Sequence, residues 1–286
     1  MSRTLKILLK VTVSAILISW FLFRNDNSQI VSSLSNVSIF VFIIAVFITI
    51  VAIYSNSIKW QLLLPQYRIR ELFRTNLIGQ YYSLLLPGQI AGEVAKAFHL
   101  SRNESGTGEI AASITIDKIT GLVGAVFVVG IFGLLMTAMP ISKMIIGVLV
   151  ALAVAAVAAL YVARIIWQRF TFKTKIIFAS ILFGVAYQLF SVVVTMLIAR
   201  DVGIMVSFYD WCWMLSLLSI ALLLPITLGG LGLREATLVG LLALFSVPSE
   251  KALALSFVLF GIQIAVSALG GIAIFFKHNQ SNPQKI

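Results

Sequence analysis

ALALSFVLFGIQIAVSALGGIAIFF, residues 252–276, runs for 25 positions without Asp, Glu, Lys or Arg. As a helix it would be about 37 Å long at roughly 1.5 Å per residue, more than a hydrocarbon core of about 30 Å requires. Five further runs, 30–58, 119–142, 144–163, 176–199 and 211–233, are also free of charge. Their polar residues are mostly Ser, Thr and Gly, which a helix that satisfies its own backbone tolerates in lipid. The whole chain of 286 residues is 60% hydrophobic and only 11% charged, with a mean hydropathy of +1.05. A soluble surface of this size needs about 25% charged residues. The chain therefore reads as an all-α polytopic membrane protein, a single membrane domain over 1–286.

Charge and cysteine usage narrow the function. The net charge of +11 accompanies no basic run interleaved with stacking aromatics, so nucleic acid is not an expected partner. Basic residues in such a chain mark cytoplasmic loops instead. The single cysteine, Cys212, has no disulfide partner, and His99 and His278 lie far apart. No metal-ligand spacing, nucleophile–base set or cofactor motif appears. No catalytic residue, metal or cofactor is expected. Arg3, Lys6 and Lys10 precede an apolar stretch with no small-x-small cleavage pattern after it, so the first span is read as uncleaved.

The full spans expected are 5–23, 38–58, 112–138, 144–163, 176–199 and 253–276. Two more apolar stretches are broken. Asn76 to Leu100 is interrupted at Pro87, Gly88 and Gly92, and Tyr209 to Phe245 at Pro225, Gly229, Gly230 and Gly232. Proline removes a backbone donor and glycine weakens a helix. Re-entrant hairpins are expected there; two shorter full spans in each place, eight or more in all, is the alternative.

Loop charges set the orientation. Segment 59–75 holds Lys59, Arg68, Arg70 and Arg74, and 164–175 holds Arg164, Arg169, Lys173 and Lys175. Both fall inside if the N-terminus does, and the tail with Lys277 and Lys285 joins them. The intervening loops are poor in Lys and Arg, and Arg200 beside Asp201 reads as an outer-loop ion pair. Cytoplasmic N- and C-termini in a cell (inner) membrane follow. Trp20, Trp60, Trp167, Trp211 and Trp213 fall near span ends, as an aromatic belt requires. Phe40, Phe42 and Phe47 read as lipid-facing, the stretch 66–75 as interfacial with Glu71 and Arg74 solvated, and the tail after Lys277 as disordered.

The chain also repeats itself. Leu84-Leu85-Leu86-Pro87 leads to Gly92, and Leu222-Leu223-Leu224-Pro225 leads to Gly230, 138 residues later. Each half, 1–143 and 144–286, then reads span, span, broken hairpin, span. Three full spans per half turn the second half upside down, the layout of inverted-repeat transporters whose sites lie where broken helices meet.

Charges inside apolar sequence are costly and mark function by default. Three acid–base groups qualify: Glu93 with Lys96, Asp117 with Lys118, and Arg234 with Glu235. Pairing within each group is the structural reading. The functional reading places Lys96 and Arg234 in first turns after helix breaks, where free N–H groups and the helix dipole favour an anion such as a lipid phosphate. Glu93, Asp117 and Glu235 would balance charge, bind a cationic head group or carry protons. The glycines serve tight packing on the alternative reading.

The string 86–98, LPGQIAGEVAKAF, resembles the Pro…Gly-Glu-x-x-basic motif of the lysylphosphatidylglycerol synthase transmembrane (flippase-like) family. Asp117-Lys118 resembles that family's acidic–basic pair, with Lys where Arg is usual. Residues 224–236, LPITLGGLGLREA, are similar to its most distinctive motif, and Ala91 stands where the first motif often has glycine. The resemblance implies a lipid-translocating domain, joined in bifunctional members to a soluble aminoacyltransferase. The sequence stops about ten residues after its last expected span, so lysyl transfer is not expected. A flippase for a phospholipid, aminoacyl-lipid or polyprenyl-linked lipid is expected. The alternative is a non-transporting scaffold for a cell-envelope glycosyltransferase or lipid synthase.

Overall fold

The structure, a computed structural model, describes residues 3–85, 90–101, 107–133, 174–222, 227 and 230–280. Those residues form ten α-helices and no strand. They are α1 (Arg3–Arg24), α2 (Asn27–Ser35), α3 (Ile39–Leu63), α4 (Ile69–Leu85), α5 (Ile90–Ser101), α6 (Thr107–Gly133), α7 (Thr174–Asp201), α8 (Phe208–Ala221), α9 (Leu233–Ala243) and α10 (Ser249–Gln280). Helices α3, α6, α7 and α10 are long and apolar enough to cross a membrane. Helix α1 lies over the expected span 5–23. The expected span 144–163 lies outside the described residues, as do Pro87, Gly88, Pro225 and Gly229.

Polar contacts between helix ends show which way each helix runs. At one end of the bundle Ser249, opening α10, donates to Asn25 after α1. There Asp201, closing α7, accepts from the Ser38 N–H just before α3 at 2.9 Å. Phe132 near the end of α6 meets Phe208 at the start of α8, ring centres 5.9 Å apart. At the other end Trp60 of α3 donates to Ser113 of α6 at 3.1 Å, and Arg74 of α4 donates to the Ala273 carbonyl of α10. Helices α3 and α10 thus run opposite to α6 and α7. The short pair α4–α5 starts from the Trp60 end, and α8–α9 from the Phe132 end.

Several expectations change. Asp201 makes no ion pair with Arg200 among the described contacts; its carboxylate caps α3 instead. Helix α3 continues to Leu63, so Lys59 is a buried helical residue rather than part of a loop. Helix α4 starts at Ile69, and its first turns bury Leu72 and Thr75 where an interfacial stretch was expected. Trp60, Trp211 and Trp213 are buried, with Trp213 donating to Asp210 at 3.0 Å. Only Trp20 among the described tryptophans is exposed. Phe40 and Phe47 face outward, but Phe42 packs on the core. Helix α10 reaches Gln280, past the expected end at 276.

Local chemistry explains the short elements. Asp26 starts α2, its carboxylate accepting from the Ser28 hydroxyl at 2.6 Å and the Ser28 amide at 2.9 Å. Those bonds hold the exposed Asp26 carboxyl below the usual carboxylate range. Ser207 caps α8 by accepting from the Asp210 amide at 3.1 Å. Helices α4 and α5 pack antiparallel, with Gly92 against Ser83 and the Gly79 carbonyl and Lys96 over Gly79. A Cβ at Gly92 would collide with both neighbours. The chain enters α9 through Gly230 and Gly232 at φ +84° and +86°, a region that glycine reaches without steric cost.

Candidate functional site

The helices enclose a cavity of about 400 Å³ lined by side chains from α3 to α10. Helix α3 contributes Lys59, the α4–α5 pair Glu93 and Lys96, α6 Asp117 and Lys118, and α9 Arg234. Five of the six charged residues selected from the sequence therefore meet in one space, although they come from three separate segments. The sixth, Glu235, does not line it.

At one pole of the cavity the charges are interlocked. Lys59 Nζ lies 3.0 Å from Asp117 Oδ1 and donates to the Asp117 backbone carbonyl at 2.7 Å. Both side chains are over nine-tenths buried. Glu93 takes two lysines: Lys96 Nζ at 3.0 Å and Lys118 Nζ at 2.7 Å. Lys96 also sits 5.4 Å above the centre of the Trp60 ring. The expected pairing within groups holds for Glu93 and Lys96. Asp117 instead pairs with Lys59 from α3, which frees Lys118 for Glu93.

Arg234 stands apart from this network. It donates to Gln263 Oε1 at 2.5 Å and lies 5.7 Å from the centre of the Phe260 ring. Among the described residues it has no carboxylate partner. The expected pairing with Glu235 does not occur. Glu235 is buried and accepts from the Gly232 amide at 2.6 Å and the Ser256 hydroxyl at 2.8 Å. The chain's own carboxylate thus occupies the Gly232 amide at the α9 start, as acidic side chains do at helix N-termini.

The cavity also contains residues that sequence reading passed over. Gln188 of α7 is 95% buried, given its 5% exposure, and its Nε2 has no hydrogen-bond partner among the described residues. Its Oε1 lies 3.3 Å from the Ser219 hydroxyl, whose single hydrogen has a nearer acceptor in the Leu215 carbonyl at 2.8 Å. Tyr187, Asn76 and Gln263 line the same space. The available signal was the isolated amide in a charge-free run, since a buried amide without a partner costs more than Ser or Thr, which bond back along their own helix. Lys59 gave no such signal because it borders a loop rich in Arg.

The described residues thus place four cations, Lys59, Lys96, Lys118 and Arg234, around the cavity against two carboxylates, Glu93 and Asp117. The helices and this embedded charge define a polytopic helical membrane protein with a polar site inside its bundle. The chain belongs to the lysylphosphatidylglycerol synthase TM region family, which matches residues 7–271. Its family thereby places it among membrane proteins that handle lipids. No curated protein matches the chain.

Proposed function

We propose that this protein moves a lipid between leaflets as a flippase-type transporter, without catalysing a covalent step, in a cell membrane with both termini cytoplasmic. The observation that carries the reading is the Arg234 guanidinium, which makes no ion pair among the described residues, in a charged cavity that borders both short helix pairs. A charge kept at such a place in an apolar bundle is expensive unless a ligand meets it. A lipid phosphate supplies that partner, and the two helix pairs, starting from opposite ends, are the broken elements of an inverted repeat over 1–143 and 144–286. On this reading both pairs are re-entrant hairpins.

A scaffold for a cell-envelope glycosyltransferase or lipid synthase is the competing reading. The interlocked Lys59–Asp117 and Lys96–Glu93–Lys118 contacts favour it, because a purely structural network seals its charges in pairs. The two readings separate in proteoliposomes carrying acyl-labelled fluorescent phosphatidylglycerol, phosphatidic acid or polyprenyl phosphate, with loss of inner-leaflet label read by an impermeant quencher. Arg234→Gln and Lys96→Gln each slow movement of the transported lipid about tenfold or more, the loss of one charge-assisted contact. Movement of none of these lipids by the wild type, or wild-type rates in Arg234→Gln and in the double variant Lys96→Gln/Glu93→Gln, overturns the transporter reading.

A further inference from the structure

We infer that Gln188 reads the lipid head group: its side-chain amide hydrogen-bonds a head-group hydroxyl, so the cavity takes a phospholipid with a glycerol or sugar head group in preference to one of equal charge without hydroxyls. This inference rests on the flippase reading for the cavity as the lipid's site. It adds a specificity-determining residue and the head-group chemistry that residue selects.

Gln188 lies midway along α7, within the charge-free run 176–199, and is buried in the cavity wall. Its Oε1 is 3.3 Å from the Ser219 hydroxyl, whose hydrogen goes to the nearer Leu215 carbonyl at 2.8 Å. Its Nε2 meets no acceptor among the described residues. Turning the amide over lets Nε2 donate to the Ser219 oxygen and leaves Oε1 open instead. Either orientation leaves one polar atom of the amide open, a donor in the first case and an acceptor in the second. An open polar atom at such a depth is costly unless something in the cavity meets it. A hydroxyl meets both cases, because it donates and accepts; a phosphate oxygen meets only the first. In an empty cavity water serves that atom. A head-group hydroxyl that displaces the water keeps the hydrogen bond, whereas a methyl group in the same place strips it. The rest of the wall suits this division. Gln263 holds Arg234 and leaves its other N–H groups to the phosphate, while Asn56 and Gln80 add neutral amides to the lining. A volume of about 400 Å³ is in the range of sites for small polar groups.

The test uses the purified full chain in detergent, with binding read by calorimetry. The probes are dioctanoyl phosphatidylglycerol, phosphatidylinositol and phosphatidylpropanol, together with free glycerophosphoglycerol. Phosphatidylpropanol has the charge and chain length of phosphatidylglycerol and lacks its two head-group hydroxyls. Phosphatidylglycerol is expected to bind about tenfold or more tightly than phosphatidylpropanol. Equal affinity for these two, or no binding of either phosphatidylglycerol or phosphatidylinositol, overturns the inference without any variant. Glycerophosphoglycerol is expected to bind far more weakly; affinity equal to that of the lipid makes the site one for a free polyol phosphate and overturns the inference. Gln188→Met keeps the shape of the side chain and removes both polar atoms. It is expected to lower phosphatidylglycerol to the level of phosphatidylpropanol, to leave phosphatidylpropanol within twofold, and to melt near wild type. Gln188→Asn draws the amide back by one methylene and serves where Gln188→Met fails to fold; it is expected to lose part of the preference. An unchanged preference in either folded variant, or an equal loss for both lipids, overturns the inference. Selective binding through Gln188 with no movement of phosphatidylglycerol in proteoliposomes keeps the hydroxyl contact and removes the flippase reading instead. Movement of both lipids with equal affinity keeps the flippase reading and removes the inference.

Discussion

Lys59 and Asp117 approach within 3.0 Å while both are nearly sealed from solvent, and the lysine also holds the Asp117 backbone carbonyl. Removing one partner strands the other in an apolar bundle. Lys59→Met and Asp117→Leu are each expected to cost about 3–5 kcal/mol of stability, while the double variant recovers a large part of that loss. Thermal unfolding of the three purified variants measures this, and additive losses would show that the pair acts as two independent residues. At this scale the sequence was informative wherever a charge interrupted an apolar run, which is why Glu93, Lys96, Asp117, Lys118 and Arg234 were all legible. It was silent on partnership. Nothing in the order of residues says that Asp117 reaches back 58 positions to Lys59 instead of pairing with its neighbour. Gln188 was legible only as an isolated amide in a charge-free run; an amide carries no formal charge, and only the packed structure shows that its Nε2 lacks an acceptor among the described residues.

At the scale of elements, the start of α9 separates capping from ligand binding. Glu235 ties the Gly232 amide and Ser256 together, whereas its neighbour Arg234 faces the cavity. Glu235→Gln keeps an acceptor for the glycine amide and is expected to retain most of the transport rate. Glu235→Ala leaves a buried N–H and a buried hydroxyl without their acceptor and is expected to lower stability by about 1–3 kcal/mol. A vesicle transport assay alongside a melting curve distinguishes them; loss of transport in Glu235→Gln at unchanged melting temperature would move Glu235 into the site. The interruptions of the broken stretches were legible in part because they rest on glycine: positive φ at Gly230 and Gly232, and a close approach at Gly92. Helix ends were less so. Helix α3 extends five residues past the expected 58 because Trp60 and Leu63 find buried seats against α6 and α4 residues, a tertiary gain that hydropathy along the chain does not record.

For the whole molecule, the alternation of helix direction is what both the loop charges and the end-to-end contacts describe. The contacts sort the helix ends into two groups, and the proposed orientation, which rests on the Lys and Arg counts, puts the Trp60 end on the cytoplasmic side. In a Cys212→Ser background, a cysteine at the exposed Asn27 is expected to react with an impermeant thiol reagent in intact cells, and one at the exposed Gln66 only after permeabilisation. Labelling of Gln66 in sealed cells reverses the orientation without disturbing the fold, because the contacts fix only the relative sidedness. Fold class was legible from composition because lipid tolerates few charges, whereas the meeting of α3, α5, α6 and α9 around one cavity depended on packing between segments up to 175 residues apart, Lys59 to Arg234.

On the proposed transport cycle, the positive surplus of the cavity would also make the protein sensitive to voltage. A charge carried through the whole membrane field gains or loses about 2.3 kcal/mol per 100 mV. A bundle that turned its empty cavity from one side to the other would carry a surplus positive charge through part of that field, while a cavity loaded with a singly charged anionic lipid would carry none. The membrane potential would then act on the return of the empty protein and leave the loaded step alone, so that an energised membrane sets the direction of transport through the half of the cycle in which no lipid is bound.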